Sequence, residues 1–296
     1  MTADSDPAAT SASEDRLSAD QVDLIRELIS VIAPGAETIT HLALGRPPRN
    51  GSRAEVYMED SANSPTLTGS SYVASGHLAI GVCVFTALDH LRSFAAVLGE
   101  GQAMSLATLT RGAVEALGKA HYLLMAPTAK EMVGRHLSLG LAELEVSVKK
   151  VGDAFRDLRG EPLDVRAHMA ALEDKLAALG FEREKVGVTA LASMVVSECV
   201  PGLDGRAFYS QLSSVAHGET AGVSAFLGRN IEAGIGFVQP PALVLPFIGA
   251  MTKTSCTVVS GVVAHFGLEQ EYQDAWNNVI AERIGPLTNR LFEAQA

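Results

Sequence analysis

Apolar residues recur at helical spacing in segment after segment of this chain, and Gly or Pro separates the segments. In the first such segment, over 22–32, Ser18 is suited to cap the helix and Gln21 completes a capping box. Pro34 and Gly35 follow this segment, so we expect the first helix to end there. This periodicity, repeated along the chain, is typical of packed helices.

The remaining periodic segments predict a helical bundle. Aromatic residues are only 5% of the chain, so its apolar content is mostly Ala, Leu and Val, as in closely packed helices. Turn residues over 36–71 indicate a long connection with one short element at most, and 228–239 is a loop or short extended piece. No alternation is long enough for a sheet. Helices are predicted over 72–98, 103–125, 128–158, 164–179, 188–200, 206–217, 242–266 and 269–292. We therefore expect an all-α fold: a single large bundle of eight to nine helices over 17–296, after a disordered tail at 1–16.

Charge and cysteine content narrow the possible partners and compartment. The formal net charge is −11, which repels a phosphate backbone and argues against non-specific DNA binding. Cys83, Cys199 and Cys256 lie far apart in apolar stretches, which is typical of free thiols in a reducing compartment. The first 16 residues lack the cationic start and apolar core of a secretion signal. We expect a cytoplasmic protein.

The most apolar stretch, 240–266, is long enough to span a membrane. Three prolines and Lys253 interrupt it, together with a cluster of Thr and Ser. These residues favour a buried core helix, so we expect no membrane association.

Several signatures of enzymes and metalloproteins are absent from the sequence. The chain has no phosphate loop, no dinucleotide fingerprint, no Glu-x-x-His, no histidine pair at i, i+4, no Cys-x-x-Cys and no Gly-x-Ser-x-Gly. We therefore predict neither a metal site nor a cofactor.

Three stretches place polar side chains on apolar helices. Arg111, Glu115 and Lys119 stand at i, i+4 and i+8, which places them on one face of a helix. They are interpreted either as a solvated ion-pair stripe or, because Ala, Gly and Leu surround them, as a buried pair that is structural or forms the floor of a pocket.

Tyr209, Ser213 and His217 repeat the same spacing, so that a phenol, a hydroxyl and an imidazole share a stripe, and Gly218 follows. A single His is more often an ordinary core or surface residue. Asp89 and His90 end a third apolar run, and they either meet polar partners across the bundle or lie at an exposed helix end.

The order Asp89-His90, Arg111 with Glu115, and Tyr209-x-x-x-Ser213-x-x-x-His217 resembles a group of helical proteins from actinobacteria. That group is in turn similar to distant members of the HEPN superfamily of helical bundles, and the likeness covers about 72–227. Many HEPN proteins are metal-independent ribonucleases of toxin–antitoxin or defence systems. Their helices dimerise to form a site whose signature is an Arg, then four to six residues, then a His. No His of this chain has an Arg at that spacing.

The resemblance leaves three functional hypotheses. The first is a HEPN-like module, acting as a homodimer, that holds a nucleotide, an RNA end or a small anion with Arg111, Glu115 and His217, assisted by Tyr209, Ser213, Asp89 and His90. The second is a ribonuclease in which His217 is general acid or base, Arg111 stabilises the phosphorane and Glu115 holds Arg111. In the third, these side chains are hydrogen-bonded structural residues of a non-catalytic oligomerisation protein.

Overall fold

The computed structural model describes residues 16–64, 71–152, 155–156, 160–230 and 234–293. It is 78% helical, which confirms the all-α class, but the described residues form eleven helices where eight to nine were predicted. The first six helices are α1 (Ala19–Gly45), α2 (Arg53–Asn63), α3 (Ser71–Val97), α4 (Ala103–Leu124), α5 (Ala129–Val151) and α6 (Val165–Ala178). The others are α7 (Val188–Cys199), α8 (Gly205–Ala216), α9 (Thr220–Ser224), α10 (Pro241–Phe266), and a last helix made of α11 (Gln270–Asn278), a π-helical segment (Val279–Ile284) and α12 (Gly285–Glu293). The predicted tail at 1–16 lies outside the described residues except for Arg16.

The predicted end of the first helix at Pro34 is wrong. Helix α1 begins with the expected capping box at Ser18, but it continues through Pro34 to Gly45. Proline removes one helical hydrogen bond, and that cost is offset because Ala36, Ile39 and Ala43 continue the buried face. The apolar periodicity therefore outweighs the helix-breaking residue.

Two elements lie in segments that were predicted to be mainly connections. Helix α2 occupies part of the predicted connection over 36–71, and it begins where the Ser52 side chain accepts a hydrogen bond from the Glu55 amide. Strand β3 (Leu227–Asn230) pairs antiparallel with β4 (Gly234–Phe237), with Leu227 opposite Phe237. The extended alternative for this segment is confirmed. A shorter hairpin joins β1 (Phe155–Arg156) to β2 (Pro162–Leu163).

Helix α4 lies at the centre of the bundle. Fourteen of its 22 residues are buried, and α3, α7, α8 and α10 pack around it. Gly118 allows α7 to approach closely, since a Cβ at this position would lie 2.8 Å from the backbone of Leu191. Gly205 does the same between α7 and α8, where a Cβ would lie 2.0 Å from the Ser193 carbonyl oxygen. This packing brings α8 onto the face of α4 that carries Arg111.

Within the ranges that the structure describes, three helices, α1, α3 and α10, are long and apolar enough to cross a membrane, by length and composition alone. In α10, 67% of the most apolar window is buried inside the protein. Its segment corresponds to the predicted core helix, and the side chains of Val244, Leu245 and Ile248 are fully buried.

Two buried histidines join α3 to α10. The Nε2 atoms of His77 and His265 lie 3.1 Å apart, so one imidazole donates a hydrogen bond to the other. From α2, the Tyr57 ring lies edge-on to His265, and the Arg53 charge lowers the pKa of that histidine further. Burial lowers the pKa of His77 to about 4 and is the main cause that lowers the pKa of His265 to about 3. Both imidazoles are therefore neutral at neutral pH.

This pair predicts a loss of stability in mild acid. In the unfolded chain each histidine takes up a proton near pH 6.5, whereas in the folded chain both stay neutral until about pH 4. The free energy of unfolding should therefore be highest above pH 6.5 and fall as the pH drops towards 4, by about 2.5 kcal/mol per histidine at pH 4.5. Urea unfolding of the double variant His77→Phe/His265→Phe between pH 7.5 and 4.5 should show a smaller loss. The exposed control His168→Phe should lose as much unfolding free energy as the wild type over this pH range. An equal loss in the double variant would contradict the account.

Candidate functional site

Helices α4 and α8 bring four of the predicted side chains together: Arg111, Glu115, Tyr209 and His217, called the Arg111 cluster below. On α4, Arg111 and Glu115 are one turn apart. The Asp204 side chain caps α8 by accepting hydrogen bonds from the first amides, which fixes the start of the helix. Tyr209 then lies on the first turns of α8 and His217 at its C-terminal end. The two polar stripes face each other.

Hydrogen bonds connect all four members of the cluster. Arg111 Nε lies 2.8 Å from Glu115 Oε1 and 3.2 Å from Tyr209 Oη. The Tyr209 hydroxyl donates to the same Glu115 oxygen at 2.6 Å. Arg111 Nη1 lies 3.2 Å from His217 Nε2, and the Arg111 guanidinium lies over the Tyr209 ring. Arg111 is therefore held from three sides.

The electrostatics of the cluster keep Arg111 charged and Tyr209 neutral. Desolvation opposes the charge of Arg111, but hydrogen bonds to Glu115 and Tyr209 outweigh it and raise the pKa of the guanidinium. Burial and the Glu115 hydrogen bond raise the pKa of Tyr209, although a hydrogen bond with Thr189 of α7 acts in the opposite direction. Thr189 is a partner of the cluster that the sequence did not indicate, since nothing in the residues around it marks it.

The cluster is neither fully buried nor fully exposed. The side chains of Arg111 and Glu115 are each 26% exposed, Tyr209 is buried and His217 is exposed. The structural-residue hypothesis requires complete burial of the pair formed by Arg111 and His217. The cluster therefore has an open side, which lies at His217.

Ser213, Asp89 and His90, which the sequence also predicted for the site, lie outside the hydrogen-bonded Arg111 cluster. The Ser213 carbonyl oxygen accepts a hydrogen bond from the His217 amide. The Ser213 hydroxyl makes no hydrogen bond with the cluster. Asp89 is exposed and, within the described residues, forms no bond with the cluster. His90 lies on α3 and packs against Gly112 of α4, where a Cβ would lie 2.5 Å from the His90 Nε2 atom.

Lys119 does not extend the ladder with Arg111 and Glu115. Its Nζ atom pairs with Glu143 Oε1 of α5 at 2.5 Å, and this pair borders a cavity of about 390 Å³. His90 and Glu115 also line this cavity. The sequence pattern gave no sign of Glu143 as a partner because the contact joins two helices. In the part of the chain that the structure describes, no three His, Cys, Asp or Glu side chains could together hold a metal ion.

The hydroxyl of Tyr209 should contribute measurably to stability. Tyr209→Phe removes a buried donor to Glu115 and an acceptor for Arg111, which should lower the free energy of unfolding by about 1 kcal/mol. Thermal unfolding at pH 7.5 measures the change. Tyr272→Phe is the matched control, since the hydroxyl of Tyr272 has only a 3.4 Å contact with the exposed Arg46. Equal melting temperatures for Tyr209→Phe and this control would contradict the assigned network.

The chain was compared with known proteins at three levels. No protein family matches it. No curated protein and no solved structure matches it either. What the Arg111 cluster can bind therefore follows from its own side chains and distances.

Proposed function

We propose that this chain is a binding protein whose Arg111 cluster holds the anionic group of a small ligand, such as a nucleotide or an RNA end. The observation that carries the proposal is the orientation of Arg111. Its Nε edge is committed to Glu115 and Tyr209, whereas Nη1 lies beside the exposed His217. A guanidinium fixed at one edge can offer the N–H groups of the other edge to a phosphate or carboxylate.

The surroundings of Arg111 also favour an anion. Contacts with Glu115, Tyr209 and His217 already hold the Arg111 side chain in one conformation, so it loses little conformational entropy when a ligand binds. The exposed imidazole of His217 adds a second donor at the open side of the cluster. The net charge of −11 repels anions at long range, but salt at physiological strength screens charges beyond about 8 Å.

The contact between Arg111 and His217 favours binding over catalysis. A guanidinium has donors only, so at 3.2 Å the Nε2 atom of His217 must accept, and its lone pair is in use. A general base needs a free nitrogen within reach of the proton that it removes. In this arrangement His217 instead offers its Nδ1–H as a donor.

Ribonuclease activity remains the second candidate because the same two side chains are adjacent and His217 is accessible. In that case a substrate phosphate would replace His217 as the partner of Arg111 Nη1. The Nε2 atom of His217 would then be free to accept the proton of the ribose 2′-hydroxyl. Arg111 would stabilise the phosphorane, and Glu115 would keep Arg111 in place. The HEPN-like relationship, the homodimer and a cytoplasmic location belong to the same set of proposals.

Anion binding should depend on the identity of residue 111. Calorimetric titration of the wild type at 0.15 M salt should detect binding of AMP and of inorganic phosphate. Arg111→Gln should weaken both by about 10- to 100-fold, since a hydrogen bond to a charged group contributes about 1.5–3 kcal/mol. Arg111→Lys should lose several-fold because an ammonium cannot bond to Glu115 and the ligand through a fixed fork. Arg290→Gln is the matched control on an exposed arginine, and equal affinities in all four proteins would contradict the proposal.

An RNA cleavage assay separates the two candidates. Single-stranded RNA incubated with excess wild-type protein, without metal ions, should remain intact, and His217→Ala should behave the same. Cleavage by the wild type that His217→Ala abolishes would replace the binding proposal by the ribonuclease. His168→Ala, on an exposed part of α6, controls for a contaminating nuclease.

A further inference from the structure

A cavity of about 390 Å³ lies between α3, α4 and α5. This volume is within the range of small-molecule sites in proteins. Its walls are mostly small or apolar, and they include Ala79, Val82, Ala116, Leu123 and Leu139. None of the roles proposed above uses this space.

The charges that border the cavity are already compensated. Lys119 pairs with Glu143, and the Glu115 carboxylate bonds to Arg111 and Tyr209. The lining therefore offers no unpaired charge to a charged group inside the cavity. The occupant that it suits is uncharged and mainly apolar.

The remaining polar groups of the lining are neutral or weakly polar. Burial lowers the pKa of His136, which bonds to the Ser75 hydroxyl, and raises the pKa of the Cys83 thiol to about 11. Both are therefore uncharged at neutral pH. His90 has no hydrogen-bond partner among the described residues, so it can meet one polar atom of an occupant.

The mouth of the cavity is apolar on the α3 side. Val82 lines the cavity and is 53% exposed, and Leu78, one turn earlier, is 58% exposed. Exposed large side chains of this kind are costly to leave in water when they lie next to each other. They give an incoming apolar group a surface to contact.

The cavity adjoins the Arg111 cluster through Glu115, which belongs to both. Arg111 and Lys119 are eight residues apart on α4, which is about 12 Å along the helix. Arg111 does not itself line the cavity, so a ligand that contacts both would have to cross Glu115.

Resting on the proposed function, we infer that the cavity receives the uncharged, mainly apolar body of the same ligand whose anionic group lies at the Arg111 cluster. The ligand class is an organic phosphate monoester with an aromatic or branched aliphatic body. The anion gives orientation through Arg111 and His217, and burial of the body against Val82 and Ala116 gives affinity.

The test compares three probes on the full chain at 0.15 M salt: inorganic phosphate, 1-naphthyl phosphate and 1-naphthol. The wild type should bind 1-naphthyl phosphate at least tenfold more tightly than inorganic phosphate, and more tightly than 1-naphthol. Val82→Trp places a large side chain at the mouth and should remove this gain while leaving the phosphate affinity unchanged. Ala116→Leu, which narrows the α4 wall, should do the same.

Val56→Trp is the matched control, because Val56 is 43% exposed on α2 and is not part of the cavity lining. It should bind all three probes like the wild type.

If 1-naphthyl phosphate binds no more tightly than inorganic phosphate, or if Val82→Trp and Ala116→Leu keep the gain, the inference is overturned and the anion site stands. If inorganic phosphate does not bind, and both naphthyl probes bind equally with no effect of Arg111→Gln, the proposed function and the shared ligand both fail.

Discussion

The packing of α7 and α8 against α4 is the constraint on which the rest of the structure depends. A side chain at Gly118 would collide with the backbone at Leu191, and one at Gly205 would collide with the carbonyl of Ser193. Only glycine at these two points lets the three helices approach. Because they do, Tyr209 and His217 lie on Arg111, and a polar network forms on a helix that is otherwise central to the core.

The network shows how a partly buried charge is accommodated while its side chain stays 26% exposed. Hydrogen bonds from Arg111 Nε to Glu115 and Tyr209 offset the cost of desolvating the guanidinium. Its Nη1 atom contacts the exposed imidazole of His217. A pair buried on all sides would be structural only, and a pair in open solvent would contribute little. With 26% of its side chain exposed, Arg111 lies between these two cases, as the proposed anion site requires.

Local patterns in the sequence predicted the local parts of this arrangement. The capping box at Ser18, the helices and the i, i+4 neighbours Arg111 and Glu115 follow from periodicity and from side-chain chemistry. The passage of α1 through Pro34 did not, because the buried face beyond the proline is a tertiary effect. The same holds for Glu143 as the partner of Lys119 and for the position of Thr189, since one chain carries no signal for contacts between helices.

The central claim is that Arg111 and His217 together bind an anion at the open side of the cluster. Its most direct test is a phosphate titration of ¹⁵N-labelled protein, with the side-chain NMR signals of Arg111 and His217 followed in parallel. The signals should shift together and saturate with one dissociation constant, while the signal of the exposed Arg290 stays in place. Signals of Arg111 and His217 that do not move at saturating phosphate, or that shift no more than that of Arg290, would contradict the account.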